Sequence, residues 1–121
     1  MGYRNADFIA ELFAEFGPVS VRRMFGGAGI FADGLMLGLI SNEVIYLKVD
    51  AHNKPAFEQE GMAPFTYGKT TRRVLTSYWR MPERLYDAPE ELARWAAESL
   101  AAARRSGVRL RRRKSSGNIT R

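Results

Sequence analysis

Cysteine is missing altogether from the 121 residues, and histidine occurs once, at position 52. Disulfides and thiolate metal sites are therefore excluded, and one imidazole provides no cluster for zinc or non-haem iron. Long hydrophobic runs are also missing. The chain opens Tyr3-Arg4-Asn5 and turns amphipathic at once, with no apolar block of the signal-peptide kind and no run of the roughly 18 apolar residues that would span a bilayer. This predicts a cytoplasmic protein without membrane association. Neither GxGxxG nor GxxxxGK[ST] is present, and no nucleophile, base and orienting group can be named together, so neither an enzyme nor a cofactor is expected.

What is present is a hydrophobic fraction of 45% on a chain long enough for one cored domain and too short for two. The net charge of +6 is unevenly distributed. Arg104 to Arg121 contains eight basic residues and no acidic one, leaving eleven basic and thirteen acidic residues before it, so the body is slightly acidic. Residues 1–104 are expected to form the domain. Residues 105–121 are expected to be a basic, disordered tail, because their apolar content is too low to fold alone. Arg104, Arg105, Arg109, Arg111, Arg112, Arg113 and Lys114 are the candidate nucleic-acid contacts, of the kind that grips phosphate without reading bases. The plainer alternative is a solvated terminus that aids solubility.

The segment from Val21 to Gly34 places Arg22 and Arg23 beside Met24 and Phe25 and then holds Gly26, Gly27, Gly29 and Gly34. Glycines this dense mean positive φ, a bulge, or a backbone approached too closely for a Cβ. A bent strand leading to a hairpin explains them better than a phosphate cradle. Asp33 and Asp50, the acids an active site beside these arginines and glycines would use, are accounted for by a turn and a helix cap.

Phe8, Ile9, Leu12, Phe13 and Phe16 recur at helical spacing after Asn5, a candidate cap, and Gly17-Pro18 ends that helix. The pattern then becomes β-like through Val19 and Val21 to Ala32, turns at Asp33-Gly34, returns over 35–40, and runs out over 44–49 as a three-strand meander. A short helix to Glu60 follows, capped by Asp50 or by Asn53, the latter placing Pro55 in the first turn. Strands at 65–67 and from Arg72 or Arg73 to Arg80 come next. Asp87 to Glu90 has the spacing of a capping box for a last helix, with a stripe from Leu92 to Ala103. The order helix, three strands, helix, two strands, helix predicts an α+β fold with helices packed on one antiparallel sheet.

Arg23-Met24-Phe25-Gly26-Gly27-Ala28-Gly29-Ile30-Phe31, Leu47-Lys48-Val49-Asp50, Pro64-Phe65-Thr66-Tyr67-Gly68 and Ser77-Tyr78-Trp79 together resemble the N-terminal domain of the TfoX/Sxy competence regulators in a stand-alone version. Arg23, Met24, Phe25, Gly26, Gly27 and Gly29 carry the core of that motif. The resemblance implies a secretion-chaperone-like α-β3-α-β2-α fold and co-activation beside a cyclic-AMP receptor protein, and it supplies no catalytic residues. Two-domain members carry a second helical domain where this chain has its basic stretch. Two functions follow as expectations. One is a transcription-associated regulator that holds a transcription factor or other protein through the α+β domain and leans on DNA through the basic residues. The other is a chaperone-like or homodimeric interaction module with no nucleic-acid role, suggested by Tyr46, Tyr67, Tyr78 and Trp79 on or beside strands.

Overall fold

The computed structural model of the protein describes residues 6–24, 26–67 and 73–118, the side chains of residues 67, 73–76 and 108–118 excepted. Helix α1 (Ala6–Leu12) is followed by strands β1 (Ser20–Met24), β2 (Gly27–Ala32), β3 (Leu35–Ser41) and β4 (Val44–Lys48). Helix α2 (Lys54–Gln59), strands β5 (Pro64–Tyr67) and β6 (Arg73–Arg80), a 3₁₀ turn (Glu83–Asp87) and helix α3 (Pro89–Asn118) follow among the described residues. The six strands form one antiparallel sheet in the order β1-β2-β3-β4-β6-β5. The α+β class expected from the sequence is what the chain adopts.

Four strands rather than three precede α2. The segment read as one bent strand folds back on itself, pairing Met24 with Gly27 and Val21 with Ile30. Gly26 makes the reversal possible, because its φ of +82° is costly for any residue with a Cβ. The next reversal is the Asp33-Gly34 turn, with φ of +52° and +74° as a type I′ hairpin needs.

Core and outer positions alternate along the strands, with one interruption. Ile30 pairs with Gly38 but Phe31 pairs with Met36, so Leu37 is an extra residue in β3. This bulge turns Leu37 and Gly38 to the same side, and both are buried. On that inner side Ile30, Ile40, Ile45, Leu47 and Trp79 meet Ile9 and Phe13 from the α1 region, Phe57 of α2, and Leu92 and Ala96 of α3 in one core. Phe57 is clamped edge-on between Trp79 and Trp95, with ring centroids at 6.4 and 4.7 Å.

The helix boundaries follow from backbone chemistry. Asn5, the candidate cap of α1, lies outside the described residues. Of the two starts considered for α2, Asn53 occupies the N-cap position and Pro55 the first turn. The Asn53 side chain caps nothing in α2. It accepts the Asp50 N–H at 2.8 Å and donates to the Lys48 carbonyl at 3.0 Å, which fixes the exit of β4. Helix α3 starts at Pro89, two residues after the expected cap, since proline suits a first turn whose donors are unpaired anyway. Asp87 belongs instead to the preceding 3₁₀ turn. Helical backbone continues past Arg104 to Asn118. Arginine, leucine and lysine are strong helix formers, and a packed helix already supplies the nucleus for extending it. Among the described residues no helix is both long and apolar enough to cross a membrane.

Candidate partner and nucleic-acid surfaces

The glycine and arginine segment is a structural device. A Cβ at Gly27 would lie 2.2 Å from the Ile40 carbonyl oxygen, so β2 and β3 reach their spacing only with glycine there. A Cβ at Gly29 would meet Met36 Sδ and Phe31 Cε1 at 2.8 Å and Met24 Sδ at 3.1 Å. Gly29 is thus the floor of a small thioether and ring cluster on the outer face. Arg22 and Arg23 point to opposite sides of β1, opposite Gly29 and Ala28 respectively, and so do not converge on one ligand. The Arg22 guanidinium lies 4.5 Å from the Phe31 ring centroid, a cation–π contact. Phe25, the remaining motif residue, lies outside the described residues.

The basic residues expected to act together fall into two groups. Arg104 donates to Asp33 at 2.8 Å, and Arg105 donates from Nε and a terminal nitrogen to both oxygens of Asp50, at 2.6 and 3.1 Å. These pairs tie α3 to the β2–β3 turn and to the segment after β4. The Asp50 carboxyl is held below the usual carboxylate range, chiefly by its hydrogen bond from Arg105 and further by the His52 N–H at 2.9 Å. Arg109, Arg111, Arg112, Arg113 and Lys114 lie on the helical backbone beyond, with side chains outside those described.

Among the described residues, no three His, Asp or Glu side chains gather as metal ligands. A recess between α2 and α3, walled by Phe57, Trp95, Arg94 and Glu98, has a volume of about 180 Å³. That is below the span of about 300–1,000 Å³ typical of small-molecule sites. Nearby, Arg84 donates to Glu60 at 3.0 Å and to Glu91 at 2.7 and 2.9 Å, joining the end of α2 to the start of α3 and lowering both carboxyl pKa values. Asp33 lies in the β2–β3 turn as expected, whereas Asp50, expected as a helix cap, pairs with Arg105 while Asn53 takes the N-cap position.

Sequence reasoning did not find how charge is divided between the two sides. All thirteen acidic residues, each among those described, lie on helices, turns or loops, whereas the strands contain Arg22, Arg23, Lys48, Arg73 and Arg80. Of these, Arg22, Lys48 and Arg80 sit on the outer face with Phe31, Met36, Tyr46 and Tyr78. Tyr78 is buried there, its hydroxyl donating to the Met36 carbonyl at 3.2 Å, and burial pushes its pKa up to about 12. The Lys48 ammonium stands 5.0 Å from the Tyr78 ring centroid, and its own pKa is lowered by burial despite Asp50 nearby. Trp79, by contrast, is core. The alternation Tyr46-x-Lys48 and Tyr78-x-Arg80 was the signal available in the sequence, but it needs the strand register to become one surface.

Residues 11–103 match the family model of the TfoX N-terminal domain. The chain belongs to the TfoX N-terminal domain family. It is similar to Protein Sxy of Escherichia coli strain K12, with 26% identity over 103 residues that cover 85% of this chain and 49% of that protein. It is similar also to the DNA transformation protein TfoX1 of Aliivibrio fischeri strain ATCC 700601 / ES114, with 26% identity over 90 residues that cover 74% of this chain and 43% of that protein. The chain therefore spans about half the length, or somewhat less, of these curated relatives. The family membership and the α+β class expected from the four sequence blocks both hold.

Proposed function

We propose that this protein is a non-enzymatic, cytoplasmic regulator in the control of DNA transformation. Its α+β body holds a protein partner, a transcription factor in the first instance, while the cations of the α3 extension grip nucleic-acid phosphate. The observation that carries this reading is the conjunction of a TfoX N-terminal domain over residues 11–103 with a run of cations starting where that match ends. The name of the relative TfoX1 supports the process. A slightly acidic body followed by a helical extension that holds cations and no acidic residue supports the division of labour, since phosphate contacts position a protein without specifying sequence.

Two measurements test this reading. Anisotropy titration of labelled duplex DNA should give an affinity that falls steeply with salt and is largely lost when Arg109, Arg111, Arg112, Arg113 and Lys114 are replaced together by alanine. Equal affinities for the two proteins would remove the extension from the mechanism. In the native host, deletion of the gene should change transformation frequency together with transcript levels. Unchanged values of both would refute the regulatory reading.

A further inference from the structure

Three cations stand on the outer face of the sheet, fixed there by register with Gly29 (Arg22), Tyr78 (Lys48) and Tyr46 (Arg80). No acidic residue is found in any strand among the described residues. Arg22 and Arg80 are exposed. Between the cations lie aromatic rings that remain only half-buried: Phe31 under Arg22, and Tyr46 set edge-on against Phe65 with centroids 4.7 Å apart. We propose that this outer face is a binding platform for single-stranded nucleic acid, with bases stacking on Tyr46, Phe65 and Phe31 and phosphates met by Arg22, Lys48 and Arg80. The proposal does not rest on the role assigned to the α3 cations.

Ring and charge together select this occupant over others. Single strands expose base faces that stack on aromatic side chains, with cations following the backbone, and a broad sheet is a common support for this. A duplex conceals its base faces. Six strands at about 4.8 Å spacing are also wider than the roughly 12 Å major groove. A second copy docking symmetrically through the same face would set its three cations against the same three, with no strand acid between them. An acidic peptide would satisfy the cations and leave the rings without a role. The Arg22 contact with Phe31 is of the exposed, weak kind, so Arg22 can move to a phosphate while a base takes its place over the ring.

The test uses the full chain, a fluorescein-labelled oligothymidylate of about twenty nucleotides and a duplex of equal length. Tyr46→Leu should weaken the single strand by about five- to a hundredfold, the cost of removing one stacking ring, and leave duplex affinity within about twofold. Tyr46→Phe, which keeps the ring, should restore single-strand binding. Equal loss for both nucleic acids, or no loss for either, overturns the proposal. If Tyr46→Leu does not fold by circular dichroism, Arg22→Gln with Arg80→Gln decides. That pair should lower the salt slope for the single strand by about 1.4 without altering the duplex slope, and an unchanged single-strand slope overturns the platform. Displacement by polyglutamate as effective as by unlabelled oligothymidylate also overturns it, because the face would then be reading charge alone. Loss of duplex binding on substitution of the α3 cations speaks to the function proposed above and is read separately.

Discussion

Replacing Gly27 by alanine tests whether the glycine-rich motif builds the sheet or cradles a ligand. The new Cβ would lie 2.2 Å from the Ile40 carbonyl oxygen and 3.4 Å from its carbon, both backbone atoms that no side-chain rotation can move. Carbon and oxygen need about 1 Å more than this for contact, so β2 and β3 must part where Ala28 opposes Ile40. Losing two ladder hydrogen bonds beside a buried strand costs about 3–5 kcal/mol, a large share of the roughly 5–15 kcal/mol that holds a domain together. At about 4 °C per kcal/mol for this chain length, Gly27→Ala should lower the melting temperature by roughly 12–20 °C. Gly26→Ala is the control, because its Cβ would meet nothing within 4 Å and only its φ of +82° penalises it. That strain is worth about 1–2 kcal/mol, or roughly 4–8 °C. Circular-dichroism melts of the wild type and both variants provide the comparison. A Gly27→Ala protein that melts within about 3 °C of wild type would refute the close approach of β2 and β3. If that same protein had lost binding while keeping its stability, the motif would be a ligand cradle after all.

Two further predictions concern titration. Tyr78 has its pKa raised to about 12 by burial, so folding holds its proton more tightly than the unfolded chain does. Its stabilising effect is therefore present below about pH 10 and lost between pH 10 and 12, and Tyr78→Phe should flatten that alkaline slope in melts while removing about 1 kcal/mol with the hydroxyl bond to Met36. The Asp50 pKa is lowered chiefly by Arg105, so its contribution is present above the unfolded carboxylate value near 4 and disappears as pH falls through the folded value. Asp50→Asn should lower stability at neutral pH and shrink the acid-side loss in urea titrations. An acid limb identical to wild type would show that the Arg105 pair contributes nothing.

Period and turn chemistry made much of the fold legible before any coordinates. Phe8, Ile9 and Leu12 revealed their helix by spacing, and Asp33-Gly34 identified its hairpin because few other pairs tolerate two positive φ values. The first hairpin was hidden because its turn glycine, Gly26, stands in a cluster with Gly27 and Gly29, and glycines inside a β pattern read equally as a bulge. The real bulge at Leu37 escaped because Leu35-Met36-Leu37-Gly38-Leu39-Ile40 is apolar throughout and has no alternation to break. At the C-terminus the composition favours both solvation and helix, so charge alone did not reveal the helical backbone that reaches Asn118. The outer face was illegible for a different reason. Its members come from all six strands of the sheet, and only strand order and register bring them to one surface.

The α3 ion pairs alter what the sequence implies about DNA affinity. Counted as one group, seven cations from Arg104 to Lys114 would release counterions from as many phosphates and give a slope of log affinity on log salt near −6. Arg105, however, donates twice to Asp50, and the two side chains retain only 38% and 20% of their exposure. Moving Arg105 to a phosphate would strand the Asp50 carboxylate, so its net gain is small. Arg104 differs, since it and Asp33 are 51% and 69% exposed, and a pair so open to solvent is readily exchanged. Arg105→Ala should therefore leave the duplex salt slope unchanged while lowering thermal stability, and Arg104→Ala should reduce the slope by up to about 0.9. Alanine at Arg111, Arg112 and Arg113 together should reduce it by about 2.7 with little effect on melting. If Arg105→Ala instead flattens the slope as much as any one of those three, the anchor at Asp50 opens on binding, and the whole cationic run, rather than its distal part, is the phosphate-binding element.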